Sequence, residues 1–283
     1  MADTGPHLRF PSAPRERIAI ASYPFRDFIV SKGETPSASK MEVKDFAAHV
    51  NAKFNIRKIE PWSEHFQSLD PKYLGEIRSA VKKVDGAIVN IAVDGKASPY
   101  AVDRGERDRA VAFAKQWVDA AAAVGSPSIR TNIPATKDSH PDVERTAASL
   151  KVVADYASTR SVVVNLENDN PAVEDPFFLI NVIKSVGSPW LHALPDFGNT
   201  LAHFDEQHAY RGIDAMFAYA YNICHVKETE VPENARAVHV DLARTFGYLK
   251  QHGYAGYCSM EWDSPGVPYE GTRQLIDKTV RYL

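Results

Sequence analysis

Four acidic or imidazole side chains stand at corresponding places in the second half of the chain, each near the end of a short apolar run. The runs and their residues are Val162–Glu167 with Glu167, Leu191–Asp196 with Asp196, Asn222–Lys227 with His225, and Tyr257–Trp262 with Glu261. Successive members lie about 30 residues or slightly more apart, the length of one βα unit. Three carboxylates gathered at one place repel each other and lose hydration, so the pattern indicates a cation among them.

This donor set predicts one divalent metal ion as cofactor. Carboxylate oxygens with one imidazole suit a hard or borderline cation, so Mn²⁺ is favoured, with Mg²⁺, Co²⁺ or Zn²⁺ as alternatives. A metal ion bound to adjacent oxygens of a ketose or hydroxyketone polarises the carbonyl group and stabilises the enediolate that forms when a neighbouring C–H proton leaves. Lys227 follows His225 by two residues and so points to the same side of an extended strand, where it could neutralise an enolate. Pairing with Glu228 or Glu230 is the alternative role for Lys227.

Eight short runs of this kind alternate with segments of helical spacing, and together they must position the four side chains. The first four expected strands are Ile18–Tyr23, Arg57–Glu60, Ala87–Val93 and Ser128–Ile133, and the last four are the runs named above. Eight parallel strands with crossover helices predict a single (β/α)8 TIM barrel of α/β class. In such barrels the active site lies at the carboxyl ends of the strands, so charged residues that end strands are the candidates for function.

The helical segments support the same fold. Apolar residues recur at helical spacing in Val43–Phe54, Arg107–Val124, Val143–Thr159, Pro176–Val186 and Val240–His252. Gly125, Gly187 and Gly253 are the expected helix stops before the following strands. Because no linker or change in composition interrupts this alternation, we expect one domain over residues 1–283, with residues 1–16 as a polar N-terminal extension.

Polar and aromatic residues near other strand ends are candidate substrate contacts. Glu60 and Trp62 lie at the end of the second expected strand, and Arg130 and Asn132 share one face of the fourth. The alternatives are a structural ion pair for Glu60 and core packing for Arg130 and Trp62. Two loop histidines, His65 after the second strand and His203 after the sixth, complete the set, with a solvated surface position as their alternative.

Composition excludes several classes of partner. The chain has 33 Lys and Arg residues against 36 Asp and Glu residues and a formal net charge of −3, so it lacks the cationic field that nucleic-acid binding requires. No apolar stretch is long enough to cross a bilayer, and the first residues lack the apolar core of a signal peptide. Two cysteines, Cys224 and Cys258, lie in apolar runs, which is typical of a reducing compartment. We expect a cytoplasmic protein, although a leader removed upstream would give the same sequence, and the oligomeric state is left open, a homo-oligomer included.

Three motifs resemble those of a known family. Leu194–Asn199, His225–Lys227 and Gly256–Glu261 look like the xylose isomerase-like barrels labelled sugar phosphate isomerase/epimerase. The resemblance implies that Glu167, Asp196, His225 and Glu261 are metal ligands and that the two glutamates act as an acid/base pair. Many relatives carry a second histidine soon after the fifth-strand glutamate, where this chain has Asn168, Asp169 and Asn170.

These observations leave more than one function open. The favoured one is a metal-dependent isomerase or epimerase of a small sugar or sugar derivative. A metal-dependent lyase, acting on a cyclitol, a dehydroshikimate-like ring or a keto-glycoside, would use the same enolate. DNA repair like that of the AP endonucleases is a remote alternative, since it needs about three metal ions and further histidines. A barrel that only binds its ligand is the non-enzymatic alternative.

Overall fold

Parallel strands alternate with helices along the whole chain. The computed structural model describes residues 5–35, 37, 39–170, 172–231 and 237–283. The strands are β1 Ile18–Ala21, β2 Lys58–Glu60, β3 Ala87–Ile88, β4 Ile91–Val93, β5 Ser128–Thr131, β6 Val163–Glu167, β7 Leu191–Leu194, β8 Ile223–Val226, β9 Thr229–Glu230, β10 Val238–His239 and β11 Tyr257–Met260.

The α-helices follow the strands in sequence. They are α1 Val43–Phe54, α2 Pro71–Lys83, α3 Arg104–Val124, α4 Val143–Thr159, α5 Pro176–Val186, α6 Glu206–Phe217, α7 Leu242–Gln251 and α8 Pro268–Tyr282. The five expected helical segments are all helical, and α3 begins three residues before its expected start. In the described parts of the chain, no helix combines the length and the apolar character that a bilayer crossing requires.

Nine of the strands form a ring with eight positions, or staves, because β3 and β4 together make up one of them. One sheet has the order β3-β2-β1-β11-β8 and the other β4-β5-β6-β7, with parallel pairing throughout. Bridges from Trp62 to Ala92 and from Asp196 to His225 join the two sheets. The predicted (β/α)8 barrel is therefore confirmed. Short strands β9 and β10 pair antiparallel outside the ring.

One expected strand is interrupted. The segment Ala87–Val93 forms β3 and β4 with Val89 and Asn90 between them. The Asn90 side chain is buried and contacts both Glu60 and Ser128 on neighbouring staves. A side chain that bridges two neighbours from inside the barrel accounts for the local departure from the regular ladder.

Capping residues determine where most helices begin and end. The N-cap aspartates accept backbone N–H groups of the first turn in α3 to α7, and they are Asp103, Asp142, Asp175, Asp205 and Asp241. Gly125, Gly187 and Gly253 have positive φ values of 83°, 60° and 62°, which confirms the predicted stops. Since each helix follows the carboxyl end of a strand, these caps also hold the loops that surround the candidate site.

Alternation along the strands divides the core in two. In β1, Ile18 and Ile20 belong to the large apolar core between strands and helices. Ala19 points inward and packs with three other small or branched residues in the barrel interior, Val89, Leu194 and Ile223. Two residues beyond Leu194 and Ile223 the inward positions are Asp196 and His225, so on these strands the barrel interior changes from apolar to polar toward the carboxyl ends.

The N-terminal extension packs against the barrel where described; residues 1–4 lie outside the described part. The Tyr221 hydroxyl donates to the Pro6 carbonyl oxygen (2.7 Å) and accepts from the Leu8 N–H (2.9 Å). The Phe10 ring meets the rings of Tyr221 and Tyr257 edge-on, with both pairs of centroids 5.7 Å apart. Because Tyr221 precedes β8 and Tyr257 begins β11, this segment lies at the amino-terminal end of the barrel.

Candidate active site

The four residues with metal-ligand character converge at the carboxyl end of the barrel. One donor atom from each of Glu167, Asp196, His225 and Glu261 lies within 4.8 Å of the other three, and all four residues are buried. Glu167 ends β6, His225 lies in β8, Asp196 is two residues past β7, and Glu261 directly follows β11. Neighbouring parallel strands bring these positions to one level, which produces the cluster.

Asp196 has one oxygen held and one oxygen free. Its Oδ1 accepts the backbone N–H groups of Gly198 and Asn199, each at 2.7 Å. Its buried Oδ2 has no hydrogen-bond partner among the described residues and lies 3.5 Å from Lys227 Nζ and 3.8 Å from His225 Nδ1. A buried, unpartnered carboxylate oxygen is costly unless something else satisfies it. The cluster therefore fits a small cation in chemistry and in geometry.

The His225 imidazole is held between carboxylates on both sides. Nδ1 lies 2.7 Å from Glu167 Oε1 and 3.2 Å from Glu261 Oε2, whereas Nε2 lies 2.9 Å from Glu60 Oε2. Burial lowers the pKa of His225, but the carboxylates of Glu167, Glu60 and Glu261 together outweigh it and raise that pKa well above its ordinary value. Nδ1 is thus the donor atom that faces the cluster, and Nε2 faces away from it.

Glu60 lies behind this imidazole. Its Oε1 accepts from Asn90 Nδ2 at 2.6 Å, its Oε2 contacts His225, and the residue is 1% exposed. Both carboxylate oxygens of Glu60 therefore have partners inside the protein, and its expected contact with substrate stays a prediction. Glu60 fixes the orientation of the His225 ring, which is the role that carboxylates have behind histidines in metal sites.

Lys227 contacts both the cluster and the rim. Its Nζ lies 2.6 Å from Asn199 Oδ1, 2.9 Å from Glu230 Oε2 and 3.3 Å from Glu261 Oε2. Glu228 pairs with Lys278 instead. Both roles expected for Lys227, pointing to the cluster and pairing with Glu230, therefore coexist in the structure.

The two carboxylates nearest Lys227 respond differently to their surroundings. Burial opposes ionisation of Glu261, but Lys227 and His225 together outweigh it and hold the pKa of this carboxyl well below its usual range. Burial raises the pKa of Asp196 to about 8, with Glu167 and Glu261 adding to the shift and Lys227 opposing it. The surroundings therefore shift the pKa values of these two carboxyl groups in opposite directions.

Arg130 and Trp62 join the site through Asp94. Arg130 Nε lies 2.8 Å from Glu167 Oε2, and its Nη1 pairs with Asp94. The indole Nε1 of Trp62 donates to Asp94 Oδ2 at 2.6 Å. Both residues therefore stand beside the cluster, where the sequence predicts contacts with a substrate.

Comparison with known proteins agrees with this geometry. The family model described as xylose isomerase-like TIM barrel matches residues 48–283. The chain belongs to this family. No curated protein matches the sequence.

Solved structures similar to this xylose isomerase-like barrel include sugar epimerases. D-allulose 3-epimerase from Methylomonas sp. has 15% sequence identity and a TM-score of 0.72, over 98% of this chain and 100% of that one. A 3-keto-D-glucoside 4-epimerase from E. coli has 13% identity and a TM-score of 0.68, over 94% and 99%. A xylose isomerase-like TIM barrel protein from Mycobacterium smegmatis, in complex with magnesium, has 17% identity and a TM-score of 0.68, over all of both chains. At these identities the likeness establishes the shared fold.

The remaining predicted contacts of this xylose isomerase-like barrel lie farther out. Asn132 uses both ends of its amide on the backbone of Gly95, with Gly95 N–H donating at 2.7 Å and Asn132 Nδ2 donating at 3.2 Å. His203 is exposed and follows the short 3-10 helix Asn199–Ala202, outside the cluster. The structure thus places Asn132 as a loop anchor and leaves His203 at the surface.

His65 is buried, so it does not occupy the surface position that is the alternative to a substrate contact. The imidazole is fully buried, its Nδ1 lies 2.8 Å from Ser22 Oγ, and its ring packs edge-on against Trp62. Burial lowers the pKa of His65 to about 4, so the ring is neutral at physiological pH. This histidine supports Trp62 from inside the protein.

Two asparagines and one aspartate of the site are not predicted as site residues from the sequence; they are Asn168, Asn199 and Asp94. Asn168 accepts the Asp196 N–H at 2.8 Å and donates to the Asp196 carbonyl oxygen at 3.0 Å, so it clamps that backbone. Asn199 contacts Lys227 and, at 3.4 Å, Glu167. The turn Asp196–Asn199, in which a carboxylate caps N–H groups two and three residues ahead, is a recognisable sequence signal for this arrangement. Asp94 directly follows an expected strand, so the strand-end rule applies to it as well.

Proposed function

We propose that this protein is a divalent-metal-dependent isomerase or epimerase of a small sugar or sugar derivative. The observation that carries the proposal is the unpartnered Asp196 Oδ2 within a buried set of four donor atoms at the carboxyl end of the barrel. Carboxylates and one imidazole suit Mn²⁺, Mg²⁺, Co²⁺ or Zn²⁺. The fold shared with sugar epimerases supports the same class of reaction.

Glu167, Asp196, His225 and Glu261 would hold the metal ion. When bound, the ion supplies Lewis-acid polarisation of a substrate carbonyl and stabilisation of the enediolate that follows. His225 would offer Nδ1, because Glu60 keeps Nε2 in place on the other side of the ring. Asp196 would offer Oδ2, since its Oδ1 already accepts two backbone N–H groups.

Two glutamates are placed to move the proton. Glu167 and Glu261 stand at the two ends of the arc formed by β6, β7, β8 and β11, and both approach His225 Nδ1. Glu261, which approaches His225 Nδ1 and Lys227 Nζ at 3.2 Å and 3.3 Å, would accept the proton from the carbon next to the carbonyl group. Glu167, on the other side and protonated from solvent beforehand, would give its proton to the opposite face, which inverts the configuration of the carbon. Glu261 would then release the abstracted proton to solvent.

Positive side chains complete the site. The Lys227 ammonium lies 3.3 Å from Glu261 and 3.5 Å from Asp196, where it can stabilise negative charge that develops on a substrate oxygen. Arg130 Nε contacts Glu167 Oε2 and holds that carboxylate in one orientation. Both are positioned before the substrate arrives, which reduces the reorganisation needed during the reaction.

A solvent-exchange assay tests the proposal. Free ketoses and 3-keto-glucosides would be incubated with the protein and Mn²⁺ in D2O, and deuterium at the carbon next to the carbonyl group would be followed by NMR. We expect metal-dependent exchange, reduced about 10²–10⁴-fold by Glu261→Gln and by Glu167→Gln. Glu228→Gln is the matched control, because Glu228 pairs with Lys278 outside the cluster, and it should keep full activity. Exchange that survives either cluster substitution, or that proceeds equally with chelator present, would contradict the mechanism.

The lyase alternative shares the first step and diverges at the second. If a hydroxide or an alkoxide leaves from the enolate, with Lys227 beside it as a proton donor, the product loses the mass of water or of an alcohol. Mass spectrometry of the same reactions separates the two outcomes. Deuterium incorporation without loss of mass identifies an epimerase or isomerase, and loss of mass identifies the lyase.

A further inference from the structure

A second cavity of about 500 Å³ lies beside the barrel, and the four cluster residues are not part of its lining. It is bounded by the connection after β4, the end of β5, and the helices α3 and α4. Its inner walls are apolar and include Phe113 and Trp117 of α3 and Leu150 and Val153 of α4. Protein interiors are normally close-packed, so a space of this size has the dimensions of a ligand pocket rather than of a packing defect.

Two aromatic rings shape the inner part of this lateral cavity. The rings of Phe113 and Trp117 have centroids 6.4 Å apart and an interplanar angle of 66°. Gly95 is part of the lining, and a Cβ at that position would stand 3.2 Å from Phe113 Cδ1. A side chain at residue 95 would press on the Phe113 ring, so the glycine keeps the space beside the ring open. The cavity therefore suits a flat or compact apolar group.

The lateral cavity opens at the same end of the barrel as the carboxylate cluster. Its outer lining includes Lys32 and Lys96, which are exposed, and Glu64, which is partly exposed, from the loops after β1, β4 and β2. All three loops belong to the carboxyl ends of their strands.

Asp94 lies between the lateral cavity and the carboxylate cluster. It lines the lateral cavity, and its carboxylate holds both the Trp62 indole and the Arg130 guanidinium. Arg130 in turn contacts Glu167 of the cluster. Two polar side chains, Asp94 and Arg130, thus link the lining of the lateral cavity to Glu167.

We propose that the lateral cavity binds the apolar part of a two-part substrate, an aromatic or compact aliphatic group joined to the sugar on which the cluster acts. A free sugar would not bind well to these apolar walls, because burying its hydroxyl groups against Phe113 and Leu150 without hydrogen-bond partners is unfavourable. The sugar half of this inference rests on the proposed function, whereas binding of the apolar group depends on the cavity alone. The substrate class is therefore a glycoside with an apolar aglycone.

Binding of a free aromatic probe tests the cavity independently of catalysis. Calorimetric titration with 2-naphthol should show one site in the unaltered protein, with or without Mn²⁺. Ala114 is a buried residue of α3 in the cavity lining, so Ala114→Leu should fill the space and weaken binding at least about tenfold. Ala112→Leu makes the same change at an exposed position of α3 and should bind as before. Absence of a site for 2-naphthol, or equal binding to the Ala114→Leu variant, would overturn the inference.

A second variant covers the case in which Ala114→Leu fails to fold, as judged by circular dichroism and thermal unfolding. Trp117→Leu removes the aromatic contact and enlarges the cavity. It should weaken 2-naphthol binding about threefold to tenfold. Unchanged affinity in this variant would overturn the inference equally.

Kinetics then decide whether the aromatic group belongs to the substrate. The Ala114→Leu substitution should raise KM about tenfold for 2-naphthyl 3-keto-glucoside, with kcat and the KM for 3-keto-glucose unchanged. If 2-naphthol binding is lost but KM for the naphthyl substrate does not change, the cavity serves a separate molecule and the substrate assignment is wrong. If neither sugar reacts in the unaltered protein while 2-naphthol binds, the proposed function fails and the cavity assignment stands.

Discussion

The barrel interior contains two polar layers that satisfy their polar groups in different ways. The lower layer is neutral and consists of Asn90, Ser128, Asn165 and Asn222. The Ser128 hydroxyl lies 2.6 Å from Asn90 Oδ1 and accepts from Asn222 Nδ2 at 2.8 Å, while Asn165 Nδ2 is 3.5 Å from Asn90 Oδ1. The upper layer is the charged cluster around His225. These hydrogen bonds join the neutral layer, although Asn165 Oδ1 and Asn222 Oδ1 have no partner among the described residues. The layer carries no charge and needs no ion, whereas the crowded carboxylates above it carry charge that a cation would balance.

The contrast separates residues that serve the fold from residues that serve a ligand. Replacing a member of the neutral layer leaves a buried partner unsatisfied and should reduce stability. Replacing Asp196, whose ionisation is opposed by burial and by the neighbouring carboxylates, should remove metal binding and activity while leaving the metal-free fold intact. The two layers meet where Asn90 donates to Glu60, which holds His225.

Asp196→Asn should have the largest effect in this comparison. The asparagine can keep the contacts with the backbone N–H groups of Gly198 and Asn199, but it replaces the free Oδ2 by an amide group. Calorimetric titration with MnCl2 should show an affinity loss beyond about 100-fold, and the metal-free Tm should stay level or rise. Asp155→Asn, on the exposed face of α4, should change neither quantity. A lower metal-free Tm together with retained affinity would assign Asp196 to the fold.

Glu60→Gln should weaken metal binding by about 10–100-fold. The glutamine can still accept from Asn90, but its amide NH2 group meets His225 Nε2 and favours the tautomer with the proton on Nδ1, the atom that faces the cluster. Titration of metal affinity against pH measures the effect, and Glu76→Gln on the exposed side of α2 is the control. Affinity equal to that of the unaltered protein would mean that Glu60 does not orient the ring.

Ser128→Ala should destabilise the fold by about 1–3 kcal/mol, because Asn90 Oδ1 and Asn222 Nδ2 lose their shared partner. Chemical denaturation of the metal-free protein measures this change, and metal affinity should stay the same. Ser158→Ala, at a half-buried position of α4 where the hydroxyl donates only to the Asp155 carbonyl oxygen, should remain within about 0.5 kcal/mol of the unaltered protein. A loss of metal affinity without loss of stability would reverse the assignment of the layer.

The smallest effect concerns His65, the neutral counterpart of His225. Its pKa in the folded protein is about 4 against an ordinary value of 6.5, so between these values the unfolded chain binds the proton and the folded chain does not. Stability therefore falls as the pH drops below 6.5, by about 1 kcal/mol at pH 5.5. His65→Asn keeps a partner for Ser22 without a titrating ring, so its loss of Tm from pH 7.5 to 5.5 should be smaller. Identical losses in both proteins would show that His65 does not contribute.

Local pattern was enough to predict the barrel and the main cluster. Glu167, Asp196, His225 and Glu261 each end or nearly end a strand, and parallel strands bring such positions together without further information. Gly125 and Gly187 act within their own helices, so their effect is readable from neighbouring residues.

The contacts that these residues make with their partners cannot be predicted from spacing along the sequence. Glu60 contacts His225 across the barrel from a position 165 residues away along the chain. His65 is buried because Ser22 and Trp62 enclose it, and neither contact follows from the spacing along the loop. Such contacts require the closed ring itself, because only closure sets which inward side chains meet.

The N-terminal segment has a practical consequence. With Pro6, Leu8 and Phe10 packed on Tyr221 and Tyr257, the chain's first described residues cover the base of the barrel, opposite the cluster. If the protein is attached to a resin through its N-terminus, the end of the barrel that carries the cluster faces the solution. Attachment through lysines such as Lys32 or Lys96 would instead crowd the side from which substrate arrives.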